Sequence, residues 1–214
     1  MKIDIRDYLF ISMETESMPF KNALLLYPEA LLDRLRSVDS FFEYHTILDK
    51  ATKEALKIAE QRYEKESIYW SEFSKVKHID LLLFYNTPEL VNIQYRYKRF
   101  QDGDEKALLT EILKVVDGKR KLVGFNILNH TIPFIFQRML ANDMAVNSSF
   151  NLQVKKTWEV DALDIMHLVK GYQYAKFMSL NSTLALFGLR DSGKGEDDLL
   201  NIARVFRNIK RGIS

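Results

Sequence analysis

The sequence predicts an α/β protein, a mixed central β-sheet flanked by helices. Three observations carry this. Short runs rich in β-branched and aromatic residues fall at 8–13, 76–85 and 90–100. Amphipathic stripes at helical spacing lie between and after them. From about residue 104 strand and helix signals alternate, and strands joined through a helix run parallel. An antiparallel start followed by such alternation gives a mixed sheet. With 214 residues, no internal repeat, no long linker and no low-complexity stretch, residues 1–214 read as one domain.

The elements follow in order. Tyr8–Met13 is a buried strand behind a charged start, and Glu14–Pro19 is a turn leaving it. Residues 22–36 and 47–66 are helices; Leu24, Leu25, Leu31, Leu32 and Leu35 recur on one face of the first. Val76–Tyr85 is a strand closed by the turn signal Asn86-Thr87-Pro88. Residues 90–95 and 95–100 continue as strand. Within the latter, Tyr95, Tyr97 and Phe100 interleave with Arg96, Lys98 and Arg99. That pattern suits base stacking beside phosphate contacts, and equally an edge strand with one wet face. Asp104–Val116 is a helix ended by Gly118-Lys119, Lys121–Asn126 a strand, and Ile132–Asn142 a helix that tolerates Pro133 in its first turn. Helices are expected at about 163–170, 179–187 and 198–210.

Composition narrows the function. Hydrophobic residues at 47% and charged residues at 28% are globular values. The 31 basic and 29 acidic side chains nearly cancel, which argues against a polybasic nucleic-acid binder. Without Cys there is no disulfide, zinc–thiolate site or thiol nucleophile. The apolar runs are too short to span a bilayer and the N-terminus lacks the pattern of a signal peptide, so a cytoplasmic protein with no membrane association is expected. Gly193-Lys194-Gly195 lacks the spacing of a phosphate loop, and no G-x-S-x-G elbow occurs. His45, His78, His130 and His167 show no paired metal spacing and read as structural or surface residues.

The informative stretch is Lys121–Met139, a strand ending in Gly124-Phe125-Asn126, a short loop, then Pro133-Phe134 and Arg138-Met139. It resembles the second motif of the DEDD-type (DnaQ-like) 3′–5′ exonucleases, in the branch of the exonuclease domain of family-B DNA polymerases. Leu9–Thr15 resembles the first motif, F-x-D-I-E-T, and Glu72–Val76 resembles E-F-G-K-I. Trp158-Glu159-Val160 with Leu163–Met166, Ser179–Leu189 and Asp198–Arg207 resemble later segments in the family's order. The resemblance spans residues 8–210 and implies a ribonuclease-H-like arrangement.

It also implies a site. Enzymes of this class hydrolyse phosphodiesters with two divalent ions, Mg or Mn, held by four carboxylates. Glu14 and Asp198 keep acidic positions, whereas Ser12 and Thr131 stand where the family has Asp. Asp197 is the neighbour that competes with Asp198 for the third motif. The usual Tyr or His base is replaced by Lys194 or Gly193. Thr15, Asn126 and Arg138 fall at substrate-contacting positions. Neutral hydroxyls are poor ligands for hard divalent ions, so a rate loss of several orders of magnitude is expected. The expectation is a degenerate exonuclease-like protein that binds single-stranded DNA or RNA, or a protein partner. One alternative is an active metal-dependent 3′–5′ exonuclease with ligands relocated to Asp164, Asp197, Asp198 or Glu16; another is a pure interaction subunit. Bland roles stand beside these: Asn126 capping a turn, Asp164 capping the helix after it, and Arg138 pairing with a helix-face carboxylate.

Overall fold

The computed structural model describes residues 4–38, 53–85, 94–116, 120–151, 161–170, 178–190, 193 and 195–212. They fall into two compact units, Met1–Glu14 with Val76–Ser214, and Thr15–Lys75.

The larger unit is built on a five-stranded sheet of order β3-β2-β1-β4-β5. Its strands are β1 (Tyr8–Ser17), β2 (Ser74–Tyr85), β3 (Gln94–Phe100), β4 (Lys121–Gly124) and β5 (Ala162–Asp164). β2 and β3 pair antiparallel from Ile79↔Phe100 to Tyr85↔Gln94. β1 pairs parallel with β4, and β4 with β5. Strand period two sends alternate residues to opposite faces. Leu9 and Ile11 of β1 therefore enter one apolar cluster, with Leu108, Leu109 and Ile112 of α4 (Glu105–Val115) and Ile135 and Met139 of α5 (Ile132–Ala141). Tyr8 and Phe10 enter the other, with Ile165 of α6 (Ile165–Lys170), Leu184 of α7 (Leu180–Leu186) and Leu199, Ile202 and Phe206 of α8 (Gly195–Gly212). Helices thus cover both faces of a mixed sheet, as the alternation of signals predicts. Each buried Leu, Ile or Phe contributes about 1.5–3 kcal/mol.

The smaller unit holds α1 (Phe20–Leu26), α2 (Pro28–Val38) and α3 (Lys53–Glu66). Its core is aromatic. The Tyr63 ring lies 5.4 Å from Phe20, 5.9 Å from Phe73 and 6.1 Å from Trp70. The Tyr63 hydroxyl donates to the Met18 carbonyl at 2.8 Å, which satisfies a polar atom carried into that core.

Several boundaries differ from the sequence reading, each for a physical reason. The helix expected over 22–36 breaks at Tyr27, whose φ of −140° is what a following Pro28 imposes. Pro28 then opens α2, where its missing N–H does no harm. Glu14–Ser17 is strand rather than turn, and β1 runs on to Ser17. Ala162–Asp164 is a strand where a helix was expected from 163; three residues are too few to carry a period. The strand beginning at Lys121 stops at Gly124, before Asn126. α8 begins at Gly195, so Asp198 sits in its first turn rather than at its start. The edge-strand reading of residues 94–100 agrees with β3 at the end of the sheet. Expectations for residues 47–52, 86–93, 118–119 and 158–160 lie outside the described residues.

Candidate functional site

Ser12 and Glu14 follow Phe10 at period two and so share the face of β1 that packs toward α8. Glu14 is half exposed and has two basic neighbours on β2, Lys77 and His78. Lys77 Nζ donates to its Oε1 at 2.6 Å, and His78 Nε2 lies 3.4 Å from its Oε2. Lys77 and His78 are consecutive, yet both reach one carboxylate. Val76 and Ile79 both enter the opposite cluster, so the alternation breaks between them and aims two successive side chains at Glu14. The Lys77 bond holds the Glu14 carboxyl below its ordinary range.

A second carboxylate lies beside this pair. Asp80 is 2% exposed, in the middle of an apolar run. Directly across the ladder stands Arg99, which donates Nε and Nη2 to it at 2.8 and 2.9 Å. The Tyr97 hydroxyl adds a third bond at 2.7 Å. His78 Nε2 is 3.5 Å from Asp80 Oδ2, so one imidazole stands between two acids. Burial lowers the His78 pKa from 6.5 despite both carboxylates. Burial and the Asp80 carboxylate push the Tyr97 hydroxyl up to about 12. α8 starts against this group: a Cβ on Gly195 would overlap Asp80 Oδ2 and come within 2.6 Å of Arg99 Nη2. Any larger residue there would have to displace the Asp80–Arg99 pair. Asp198, half buried, follows within the same first turn as Glu196 and Asp197.

The second constellation lies at the carboxyl ends of β4 and β5. A Cβ on Gly124 would lie 2.5 Å from the Ile11 carbonyl and overlap Ile127, so the strand's close approach to β1 requires glycine. Asn126 then adopts the left-handed region, with φ 54° and ψ 31°, and Ile127–Thr131 forms a π-helical turn into α5. Asp164, 2% exposed, holds this turn. Its oxygens accept the N–H groups of Asn126 at 2.9 Å, Leu128 at 3.1 Å and Met166 at 3.0 Å. The last of these caps α6. Thr131 is only 4% exposed. Arg138 Nη2 donates to Glu105 Oε2 at 2.6 Å, and Glu105 also accepts the Val76 N–H at 2.6 Å and Asn142 Nδ2 at 2.9 Å. Burial works to raise the Glu105 pKa, but these donors outweigh it and the carboxyl titrates below 4.5.

The predicted site residues fall on several elements. Ser12 and Glu14 share one face of β1, and Asp198 lies in the first turn of α8, the helix that packs in the apolar cluster on that face. Thr131 is buried in the turn after β4. Asn126 is a left-handed pivot bonded to Asp164 through its backbone. Arg138 is bonded to Glu105, the helix-face pairing. Thr15 belongs to the smaller unit, where its hydroxyl donates to the Ile68 carbonyl at 2.6 Å. The relocated ligands fare no better: Asp164 has its oxygens taken by N–H donors, and Glu16 faces Lys75 at 3.6 Å. Among the described residues no group of three or more His, Asp or Glu is arranged to hold a metal ion. Ser12 and Thr131 are neutral and Glu14 is already bonded to an ammonium. These residues do not fit a paired-ion centre.

The sequence reading gave Lys77 and Asp80 no role and took His78 as a structural or surface residue. One signal was available. An Asp inside the run Ile79–Tyr85 must be paired if buried, and the alternating basic strand that follows supplies the cation. No protein-family model and no curated protein matches the chain. Among the described residues, no helix is long and apolar enough to cross a membrane.

Proposed function

We propose that this chain is a degenerate relative of the DEDD-type 3′–5′ exonucleases. In this reading it retains the ribonuclease-H-like arrangement and acts by binding nucleic acid or a protein partner, its metal-dependent nuclease activity lost or strongly weakened. The order of the motifs supports the kinship, as does a sheet with an antiparallel pair at one edge and parallel pairing through β1, β4 and β5. The loss of activity rests on one observation. The acids of the β1–β2 face are neutralised by the protein's own cations, Glu14 by Lys77 and Asp80 by Arg99. An ammonium on the carboxylate takes the charge that a divalent ion would supply, but activates no water.

The test is incubation with 5′-labelled single-stranded DNA and Mn²⁺. The expected result is an untrimmed 3′ end. Metal-dependent trimming that disappears in Glu14→Gln would establish an active exonuclease and overturn the reading.

A further inference from the structure

The smaller unit carries a feature that the exonuclease reading does not use. An open pocket of about 530 Å³ lies between α1 and α3, entirely within Thr15–Lys75. Met18 and the tilted pair Phe20–Tyr63 supply apolar and aromatic lining, and Glu60 and Glu64 supply two carboxylates. Those two are four apart on α3, so they share a face and repel each other. Among the described residues neither has an ion pair, although Arg62 of the same helix is paired with Glu66. Lys21 also lines the pocket, which leaves it one negative charge in excess. Carboxylates over an aromatic wall are the chemistry that receives an ammonium or guanidinium.

The surroundings point to a polypeptide as the carrier of that cation. Six of the ten exposed large hydrophobics among the described residues, Leu25, Leu26, Tyr27, Ile58, Ile68 and Tyr69, belong to this unit, much the smaller of the two. Of these, Ile68 itself lines the pocket, and Leu25, Leu26 and Ile58 lie on the two helices that frame it, where apolar surface beside a charged pocket suits a docked polypeptide. A nucleic-acid backbone would instead meet two like charges.

We propose that residues 15–75 dock a partner polypeptide through an Arg or Lys side chain seated between Glu60 and Glu64 against Phe20 and Tyr63. Apolar neighbours of that side chain would lie on the exposed hydrophobics. The proposal is independent of the exonuclease reading and stands if nuclease activity is found.

The experiment uses the full chain with ¹³C-methyl methionine, Met18 serving as the reporter inside the pocket. Three blocked pentapeptides are titrated in, leucine alternating with arginine, with glutamine or with glutamate. The Arg peptide should move the Met18 methyl saturably, less so at high salt, while the Gln and Glu peptides leave it in place. Glu60→Gln/Glu64→Gln should weaken the Arg peptide about tenfold, and Glu60→Asp/Glu64→Asp should retain binding. An unmoved Met18, an equal response to the Gln peptide, or a saturable shift with a single-stranded oligonucleotide overturns the proposal. The peptide series on the unaltered chain decides the matter even if a variant fails to fold.

Discussion

The carboxylates at the ends of β4 and β5 and those on the β1–β2 face are held in different ways. Asp164 is bound wholly by backbone N–H groups, and Glu105 by one such group together with Arg138 and Asn142. Both are buried, and their bonds fix the turn after β4 and the seat of α5. Glu14 and Asp80 are instead held by side chains, Lys77, His78, Tyr97 and Arg99. Glu14 is half open to solvent, and Lys77 and His78 both reach it from β2. The first pair belongs to the architecture; the second is a charge-balanced surface in the place where the motif resemblance puts metal chemistry. A carboxylate at a motif position is thus informative only with its partners known.

The contrast predicts a graded series. Asp164→Ala strips the acceptor from three backbone N–H groups and should destabilise the fold by about 4 kcal/mol in urea denaturation. An effect below about 1 kcal/mol would show that the turn does not depend on it. Glu105→Ala, which takes the shared acceptor from Arg138, Asn142 and the Val76 N–H, should cost about 3 kcal/mol. Its titration adds a pH signature. The folded pKa lies below the ordinary 4.5, so as pH falls below 4.5 the unfolded chain takes up the proton first. Stability is full above 4.5 and is lost as pH falls through the folded pKa; Glu105→Gln should flatten that decline. Gly195→Ala should cost about 2 kcal/mol by driving a methyl into Asp80 and Arg99, read as a fall in thermal midpoint. Glu14→Gln should change stability by less than about 0.5 kcal/mol, since an exposed ion pair contributes little.

A milder pH effect belongs to the second region. His78 titrates below 6.5 in the fold, so the unfolded chain binds its proton first as pH drops below 6.5, and stability falls with it. His78→Gln should remove that part of the slope below pH 6.5.

Much of the fold was legible in the sequence. The apolar run at 8–13, short as it is, and the longer one at 76–85 read as strands, and α4 shows its apolar stripe plainly. The breaks were less legible. Pro28 divides a stripe whose leucines keep their period on both sides, and β5 is too short to register. The site was half legible. Gly124 ends β4, Asn126 follows it and Glu14 lies in β1, but what each carboxylate touches is set by long-range pairing. No local pattern brings Lys77 to Glu14, across 63 positions, or Arg99 to Asp80.

Manganese binding followed by electron paramagnetic resonance tests the central claim most directly, because it reads the ion rather than the reaction. With side-chain cations already on Glu14 and Asp80, titration of the full chain should show no saturable Mn²⁺ site below the millimolar range. Tight, stoichiometric binding of one or two ions that Glu14→Gln abolishes would contradict the account.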